Sequence, residues 1–362
     1  MSLRRLGGTG GLILLAVALT GCFLIQASPN PGNLDNKLLG VSCPTASSCT
    51  AVGYYYNNGG AVQQTLVETW DGTTWSVVPS PTPTTTFGNS LAGVSCVSTE
   101  FCAAVGNVIE MWDGTTWSVV PGGGAGAVTC LSKHFCVAVG GTTVEMWDGK
   151  TWSMVPNPTP GGSELEGGLN GVSCVSTSFC VAVGEVVDPA THGLTFSLVE
   201  MWDGTTWSAV GSPGAGTFTE LSAVSCISTS SCTAAGRYSN FGPWKTQILS
   251  WDGTTWSVVP SPNGSPTGNN QLSGISCVSN NSCTAVGDYQ DPSSVSHTLA
   301  ETFNGTTWSV VPAADSSPSD TNVLNGVACP PAGSGTCTAV GFSQPGGNGP
   351  THTLILHDMP IQ

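Results

Sequence analysis

The ten residues WDGTTWSVVP, which begin at Trp70, return almost unchanged along the chain. Close copies begin at Trp112, Trp147, Trp202, Trp251 and Phe303. A chain that repeats one short segment at intervals of 20–50 residues, as a rule, folds as an array of similar units. This repeat therefore constrains the fold more than any other feature of the sequence.

The segments around the decapeptide also recur, and always in one order. Each unit begins with a form of LxGVSC, continues after five residues with CTAVG or CVAVG, and then has a variable segment. A segment like TLVETW follows and leads into the decapeptide. Successive first cysteines are 53, 34, 44, 52, 51 and 52 residues apart. Most of these spacings match the length of a β-propeller blade.

The repeated segments have the composition of strands. They are short, rich in Val, Thr and Trp, and bounded by Gly, Pro, Asn and Asp. We label the four strands of a unit a to d, and expect small-residue strand a to lie nearest the axis. The sequence predicts an all-β, seven-bladed β-propeller of four-stranded antiparallel blades, with one disulfide per blade.

The Asp-Gly pair between strands c and d predicts a type I′ hairpin turn, in which both central residues have positive φ. Asn304-Gly305 replaces Asp-Gly in the sixth unit and makes the same turn without a carboxylate. We therefore expect the Asp to serve backbone conformation and not acid chemistry.

The units GVSC…C.AVG…WDGTTW resemble a class of secreted actinobacterial repeat proteins, and more loosely propellers with Asp-box or kelch-type repeats. The resemblance covers nearly the whole chain after residue 21 and implies a secreted or lipid-anchored propeller. The Asp-box pattern S-x-D-x-G-x-T-W is not met, because Asp and Gly are adjacent in this chain. That departure puts membership of the sialidase class in doubt.

Fourteen of the fifteen cysteines form seven close pairs, which predicts disulfides in an oxidising compartment. The alternative is zinc, but the five intervening residues exceed the usual C-x₂₋₄-C spacing and no His recurs beside the pairs. We expect no metal and no cofactor. The expected disulfides are Cys43–Cys49, Cys96–Cys102, Cys130–Cys136, Cys174–Cys180, Cys226–Cys232, Cys277–Cys283 and Cys329–Cys337.

The remaining cysteine, Cys22, follows a basic segment and a short apolar segment that together read as a signal peptide. Its context, LTGC, resembles the lipobox of bacterial lipoproteins, which implies that Cys22 is acylated and becomes the mature N-terminus. An ordinary secretory peptide is the alternative. The expected division is a signal peptide at 1–21 and a single propeller domain at 22–362.

The seventh unit stops without a strand d. Residues 23–27 align with strand d of the fifth unit, with Phe23 at the position of Trp256 and Ile25 at that of Val258. We therefore expect 23–27 to close blade seven, and the alternative is a flexible tether. The expected blades span about 38–81, 91–121, 125–158, 169–213, 221–262, 272–312 and 324–358.

Charge restricts the partners. Of seven Lys and Arg, Arg4 and Arg5 precede Cys22, which leaves five basic residues against 22 acidic ones. Nucleic-acid binding requires a basic surface, so we expect no nucleic-acid partner.

Strand order places the a–b and c–d turns on one face and the varied b–c and d–a loops on the other, where recognition is commonly found. Aromatic and basic residues that do not belong to the repeat are expected in the b–c loops, and these are the binding candidates. Local packing that holds each loop is the alternative for any single residue. The candidates are Tyr54, Tyr55, Tyr56, Arg237, Tyr238, Phe241, Trp244 and Tyr289.

Glutamates recur on strand c at positions 68, 110, 145, 200 and 301. Five equivalent carboxylates do not make the one asymmetric pair that glycoside hydrolysis needs, so we expect them to accept hydrogen bonds within their blades. The chain also lacks the G-x-S-x-G, HExxH and P-loop motifs. We expect no catalytic residues.

The sequence thus predicts a non-catalytic extracytoplasmic lipoprotein, anchored in the cell membrane or secreted, whose variable face recognises a protein or glycan partner. The alternative is a glycoside hydrolase or lyase on the same scaffold, which could use loop residues such as Asp188 with His192.

Changing Cys22→Ser tests the anchor. We expect the variant to leave the membrane fraction, or to stay unprocessed, because acyl chains attached at Cys22 would supply the membrane affinity. Fractionation followed by immunoblotting checks this. A processed variant that still sediments with membranes would contradict the lipobox interpretation.

Overall fold

The strands of the protein form seven separate sheets. The computed structural model describes residues 22–57, 62–83, 88–158, 166–188, 193–331 and 336–359, so the predicted signal peptide at 1–21 lies outside the described residues. Blades one to three contain β2 (Asn36–Thr45), β3 (Ser48–Tyr56), β4 (Gln63–Trp70), β5 (Trp75–Val77); β6 (Leu91–Ser98), β7 (Phe101–Gly106), β8 (Ile109–Trp112), β9 (Trp117–Val120); and β10 (Ala127–Ser132), β11 (Phe135–Gly140), β12 (Thr143–Trp147), β13 (Trp152–Val155).

The other four blades follow the same order. Blade seven takes its outer strand from the start of the described chain. These blades contain β14 (Glu166–Ser176), β15 (Phe179–Asp188), β16 (Leu194–Trp202), β17 (Trp207–Ala209); β18 (Phe218–Ser228), β19 (Ser231–Ser239), β20 (Lys245–Trp251), β21 (Trp256–Val259); β22 (Asn270–Ser279), β23 (Ser282–Gln290), β24 (Ser296–Phe303), β25 (Trp308–Val311); and β26 (Thr321–Ala328), β27 (Thr338–Gln344), β28 (His352–Met359), β1 (Cys22–Gln26).

The seven a strands surround a narrow axial channel of about 220 Å³. Each contacts the next, and β26 contacts β2, so the ring is closed. Backbones approach so closely here that a Cβ on Gly40 would lie 2.8 Å from the carbonyl oxygen of Ala92. The small residues of strand a are therefore a steric requirement of the axis, as the sequence predicted.

A serine of strand a joins most blades to the next. Its hydroxyl accepts a hydrogen bond from the backbone N–H of the next blade's first cysteine, with Ser42 Oγ 2.9 Å from Cys96 N. The same bond joins Ser95 to Cys130, Ser173 to Cys226, Ser225 to Cys277 and Ser276 to Cys329. Blade seven has Ala328 at this position. There Asn325 Nδ2 donates to the carbonyl oxygen of Leu38 at 2.8 Å instead.

The seven predicted disulfides are confirmed, each within one blade. Cys96 and Cys102 face each other across β6 and β7, and their Cα atoms are 4.0 Å apart. The other bridges are Cys43–Cys49, Cys130–Cys136, Cys174–Cys180, Cys226–Cys232, Cys277–Cys283 and Cys329–Cys337. With every one of these thiols in a disulfide, none is available as a zinc ligand.

The type I′ prediction for the Asp-Gly turn is wrong. Strand pairing ends at Trp70 opposite Trp75, which leaves a four-residue turn. Gly72 has φ +95°, but Asp71 does not have the positive φ that a type I′ turn requires. Among the described residues other than glycine, positive φ occurs at Phe241 and Ser294. Asp71 fixes the turn through its carboxylate, which accepts the N–H groups of Thr73 and Thr74 at 2.8 Å each. Asn304 does the same with its amide oxygen, so the expected conformational role is correct.

Strand β1 closes blade seven. It pairs antiparallel with β28, and Phe23 lies opposite Asp358 as Trp75 lies opposite Trp70. The Phe23 side chain is fully buried, and its backbone bonds to Pro312 and Ala314 of blade six at 3.0 Å each. The segment 23–27 is therefore a structural strand, with bounds at Cys22 and Gln26, and not a tether.

Truncation of Phe23 tests this closure. Phe23→Ala should lower the free energy of unfolding by about 3–5 kcal/mol, because it leaves a cavity in the core of blade seven. Leu24→Ala is the matched control, since Leu24 is 41% exposed and should change stability by less than about 0.5 kcal/mol. Denaturant unfolding of the oxidised proteins measures both. Equal midpoints for the two variants would contradict a closing strand.

Candidate ligand-binding face

The connections divide into two faces. The face made by the a–b and c–d turns, here called the disulfide face, is uniform. In four blades the strand-c Trp indole donates to a carbonyl oxygen of the a–b turn at 3.0–3.1 Å. The b–c and d–a connections make the opposite, variable face. Blades two and three have two-residue b–c connections, between Gly106 and Ile109 and between Gly140 and Thr143. The variable face is therefore asymmetric.

The recurring glutamates join neighbouring blades. We expected bonds within each blade, but the donors come from the segment after strand d of the preceding blade. Ser28 Oγ donates to Glu68 at 2.9 Å, and Ser80 Oγ donates to Glu110 at 2.7 Å. The remaining pairs are Gly123 N with Glu145, Asn157 with Glu200, and Ser261 with Glu301. These carboxyl groups are buried at blade junctions and are not on the variable face.

Two blades lack this glutamate, and their junctions differ in whether the donor is kept. Blade seven has Leu356 at the position, and the preceding blade has Ala313 where the donor serine stands elsewhere. Blade five has Leu249, but the preceding blade keeps Ser212, whose hydroxyl is buried without a partner among the described residues. The Ser212 hydroxyl is thus buried without the carboxyl acceptor that other junctions supply, which costs stability.

Burial changes the acidity of these carboxyl groups. It raises the pKa of Glu68 and of Glu301 to about 8 and that of Glu110 to about 7, against the opposing effect of the serine hydrogen bonds. The second oxygen of each of the three is buried without a partner in the described part of the chain. A desolvated carboxyl group with one hydrogen bond favours its neutral form.

The three consecutive tyrosines lie in strand β3 and not in the b–c loop as predicted. The strand is longer than the repeat because Tyr54, Tyr55 and Tyr56 pair with residues of β4. Tyr54 and Tyr56 make an edge-to-face contact at 5.9 Å, and Tyr55 packs against the core of blade one. Local packing explains Tyr54 and Tyr55, whereas Tyr56 also lines a cleft with Asp35 and Gln344.

Other candidates also pack locally. Tyr289 is in strand β23 and stacks on His297 with ring centroids 5.3 Å apart. Tyr238 and Arg237 are in strand β19, so the loop placement is wrong for them too. Phe241 lies in the loop, contacts Phe218 edge-on and is 80% exposed.

One group of candidates does come together. The Arg237 guanidinium lies over the Trp244 ring, 4.4 Å from its centroid. The same guanidinium bonds Glu220 at 2.7 Å and the side-chain oxygen of Gln271 at 3.0 Å. Gln271 in turn donates to Asp288 at 2.6 Å. This chain of polar contacts crosses from blade five to blade six.

These contacts line a cleft between blades five and six, here called the 5/6 cleft. Its volume is about 390 Å³, within the usual range for small-molecule sites. Asp288 is almost fully buried, and Trp244 is partly exposed. The lining residues are Arg237, Trp244, Asn269, Asn270, Gln271, Asp288, Gln290, Ser296 and Val323.

Carboxylates outnumber cations around this cleft. Glu185, on the adjacent strand b of blade four, is near Glu220 and Arg237. Burial raises the pKa of Glu185 and of Asp288, and in both cases Arg237 acts in the opposite direction. Arg237 already forms an ion pair with Glu220, so its charge is compensated within the protein.

The sequence prediction missed Glu185, Glu220, Gln271 and Asp288. A signal was present, because Glu185, Arg237 and Asp288 each follow directly the glycine that ends the AVG or AAG segment. Glu220 and Gln271 each precede the leucine that opens strand a of the repeat. Residues just outside the repeat are free to differ between blades, and the register pairs Glu220 with Arg237 and Gln271 with Asp288.

Other kinds of site were considered across the described ranges. No group of three or more His, Cys, Asp or Glu in that part of the chain is arranged to hold a metal ion. The described residues also contain no helix long and apolar enough to cross a membrane. His192 and the side chain of Asp188 lie outside what the structure describes.

Comparisons with known proteins support the fold alone. No protein-family model matches the chain, and no curated protein matches it. Among solved structures, the chain is similar to a protein of unknown function from Dyadobacter fermentans DSM 18053, at 14% sequence identity and a TM-score of 0.53. The alignment covers 94% of this chain and 98% of the other. The propeller architecture is thus shared with a distant protein, while the actinobacterial likeness stays a resemblance.

The glutamate junctions predict an unusual pH dependence. A carboxyl group whose pKa is raised on folding keeps its proton in the folded state while the unfolded chain has lost it. The contribution of these groups to stability is therefore fully present below about pH 4.5 and is lost as pH rises toward about 8, by about 1.4 kcal/mol for each pKa unit. Hydrogen bonds lower the pKa of four turn aspartates to about 2, so these groups affect stability only below this pH range. They are Asp71, Asp113, Asp203 and Asp252.

Denaturant unfolding from pH 5 to 8 measures this. The wild type should lose stability across the range, and a variant with Glu68→Gln, Glu110→Gln and Glu301→Gln should show a flatter profile, since Gln does not titrate. Asp71→Asn is the control and should leave the slope unchanged. A wild-type profile that rises with pH would contradict this assignment.

Proposed function

We propose that the protein is a non-catalytic, extracytoplasmic binding module whose variable face recognises a partner in the cell envelope. The disulfide-rich propeller fits an extracellular binding module. The observation that carries the proposal is the position of the 5/6 cleft, which combines an aromatic ring, an ion pair and amide groups on the asymmetric face.

Attachment to a membrane through Cys22 is part of the proposal. Cys22 begins strand β1 and pairs with Met359 near the disulfide face, because Asp358 bonds to Cys337 at that end of blade seven. An acyl anchor at this point would hold the disulfide face near the bilayer. The variable face would then point away from the membrane, toward the partner.

A carbohydrate-active enzyme is the second candidate, and one observation favours it. Asp288 is a buried carboxyl group with a raised pKa that lines the cleft, as expected of a general acid. Its hydrogen bond from Gln271, and the engagement of Glu220 with Arg237, favour a structural network over a free acid–base pair. Turnover of glycosides that is lost in Asp288→Asn would support the enzyme.

Substitutions on the two faces test the binding function. The Cys22→Ser protein should bind purified envelope fractions saturably, and Asn57→Arg with Asn107→Arg should weaken binding at least about tenfold, or about 1.4 kcal/mol. Both asparagines are exposed, and both belong to b–c connections. Glu100→Arg on the disulfide face is the control and should bind normally. Equal losses on both faces, or no saturable binding, would overturn the proposal.

A further inference from the structure

Hydrogen bonds hold the backbone of Trp244 at the wall of the 5/6 cleft. Its backbone N–H donates to Asn269 at 3.0 Å, and its carbonyl oxygen accepts the N–H of Asn270 at 2.9 Å. Asn270 is itself buried and is bonded to the carbonyl oxygen of Ser265 at 2.8 Å. The loop of blade five is thus fixed by blade six, and Arg237 further restricts the ring. A fixed aromatic surface binds a ligand at low entropic cost.

Amide groups lie beside this ring. Asn269 Nδ2 donates to Gln290 Oε1 at 2.9 Å, and both residues line the cleft together with Ser296. Amides and hydroxyls both donate and accept hydrogen bonds, as the hydroxyl groups of a sugar do. An apolar ring next to several such groups suits the apolar face and polar edge of a sugar ring.

Charge selects among sugars. The guanidinium of Arg237, the cation that lines the cleft, is already engaged by Glu220 and Gln271. A ligand carboxylate would have to displace Glu220 or Gln271 to reach the guanidinium. Neutral sugars carry no such penalty, so acidic sugars should be rejected.

We propose, building on the binding function above, that the 5/6 cleft takes a neutral, hydroxyl-rich sugar stacked on Trp244. Arg237 acts as a positioning residue for the indole. The cleft volume of about 390 Å³ suits a monosaccharide or disaccharide, and places this portion of a longer glycan between the blades.

Isothermal titration calorimetry with the Cys22→Ser protein tests the ligand class. The probes are neutral oligosaccharides, including N-acetylated ones, and matched oligosaccharides that contain uronic or sialic acids. We expect saturable binding of at least one neutral probe and at least about tenfold weaker binding of its acidic counterpart. No binding by any neutral probe, or equal binding of acidic ones, overturns the proposal.

Variants locate the site. Trp244→Ala should weaken the neutral sugar at least about tenfold, and Trp244→Phe should retain part of the affinity because it keeps an aromatic ring. Phe241→Ala is the matched control, since Phe241 is in the same loop, is 80% exposed and does not line the cleft. Gln290→Leu removes a rim amide without touching the indole and should also weaken binding, which covers the case in which Trp244→Ala misfolds.

The experiments distinguish a wrong ligand assignment from a wrong proposed function. If the sugars do not bind but envelope fractions still do, and Asn57→Arg with Asn107→Arg reduces that binding, the partner is a protein or another ligand, and the sugar assignment alone is wrong. If sugar binding survives in both Trp244→Ala and Gln290→Leu, the site lies elsewhere. If neither sugars nor envelope fractions bind, the proposed function fails as well.

Discussion

The contact between neighbouring blades is the interaction on which the structure depends. A single four-stranded sheet has two faces to bury. Here one face is covered by the preceding sheet of the ring and the other by the following sheet. Two polar bonds fix that contact: a strand-a serine bonds the next blade near the axis, and a strand-c carboxyl group bonds the preceding blade farther out. Each junction of blade seven lacks one of the two. Strand β1 bonds blade six where the glutamate is missing, and Asn325 bonds blade one where the serine is missing.

The order of strands, the disulfides and the closing strand could be predicted because they follow from one unit read repeatedly. Phe23 matched a Trp position of the repeat, and the structure places it there. What the repeat could not reveal is contact between units. Ser28 and Glu68 are 40 residues apart, and no periodic pattern within a unit pairs them. The prediction of the turn type was wrong for a different reason. The Asp71 side chain stabilises the turn by accepting backbone N–H groups, which the type I′ prediction did not consider.

The candidate site was missed for the same reason: its residues come from different units. Trp244 could be singled out from the sequence because it is the one Trp outside the repeat positions. Its neighbours could not be assembled, because Gln271 and Asp288 belong to the next unit and meet Arg237 only when the ring forms. The candidate site is therefore formed by residues that break the repeat, at a place where two blades meet.

The proposed acyl anchor would bring the disulfide face, with its acidic turns, close to the membrane. The aspartates of the c–d turns keep pKa values of about 2, so they are ionised at neutral pH and are repelled by anionic lipid. An acyl chain on Cys22 would therefore have to overcome this repulsion, and the resulting force would act on strand β1. Phe23 directly follows Cys22, is fully buried and is bonded to blade six on both sides. The proposed acyl anchor would thus be joined directly to the strand that closes the ring.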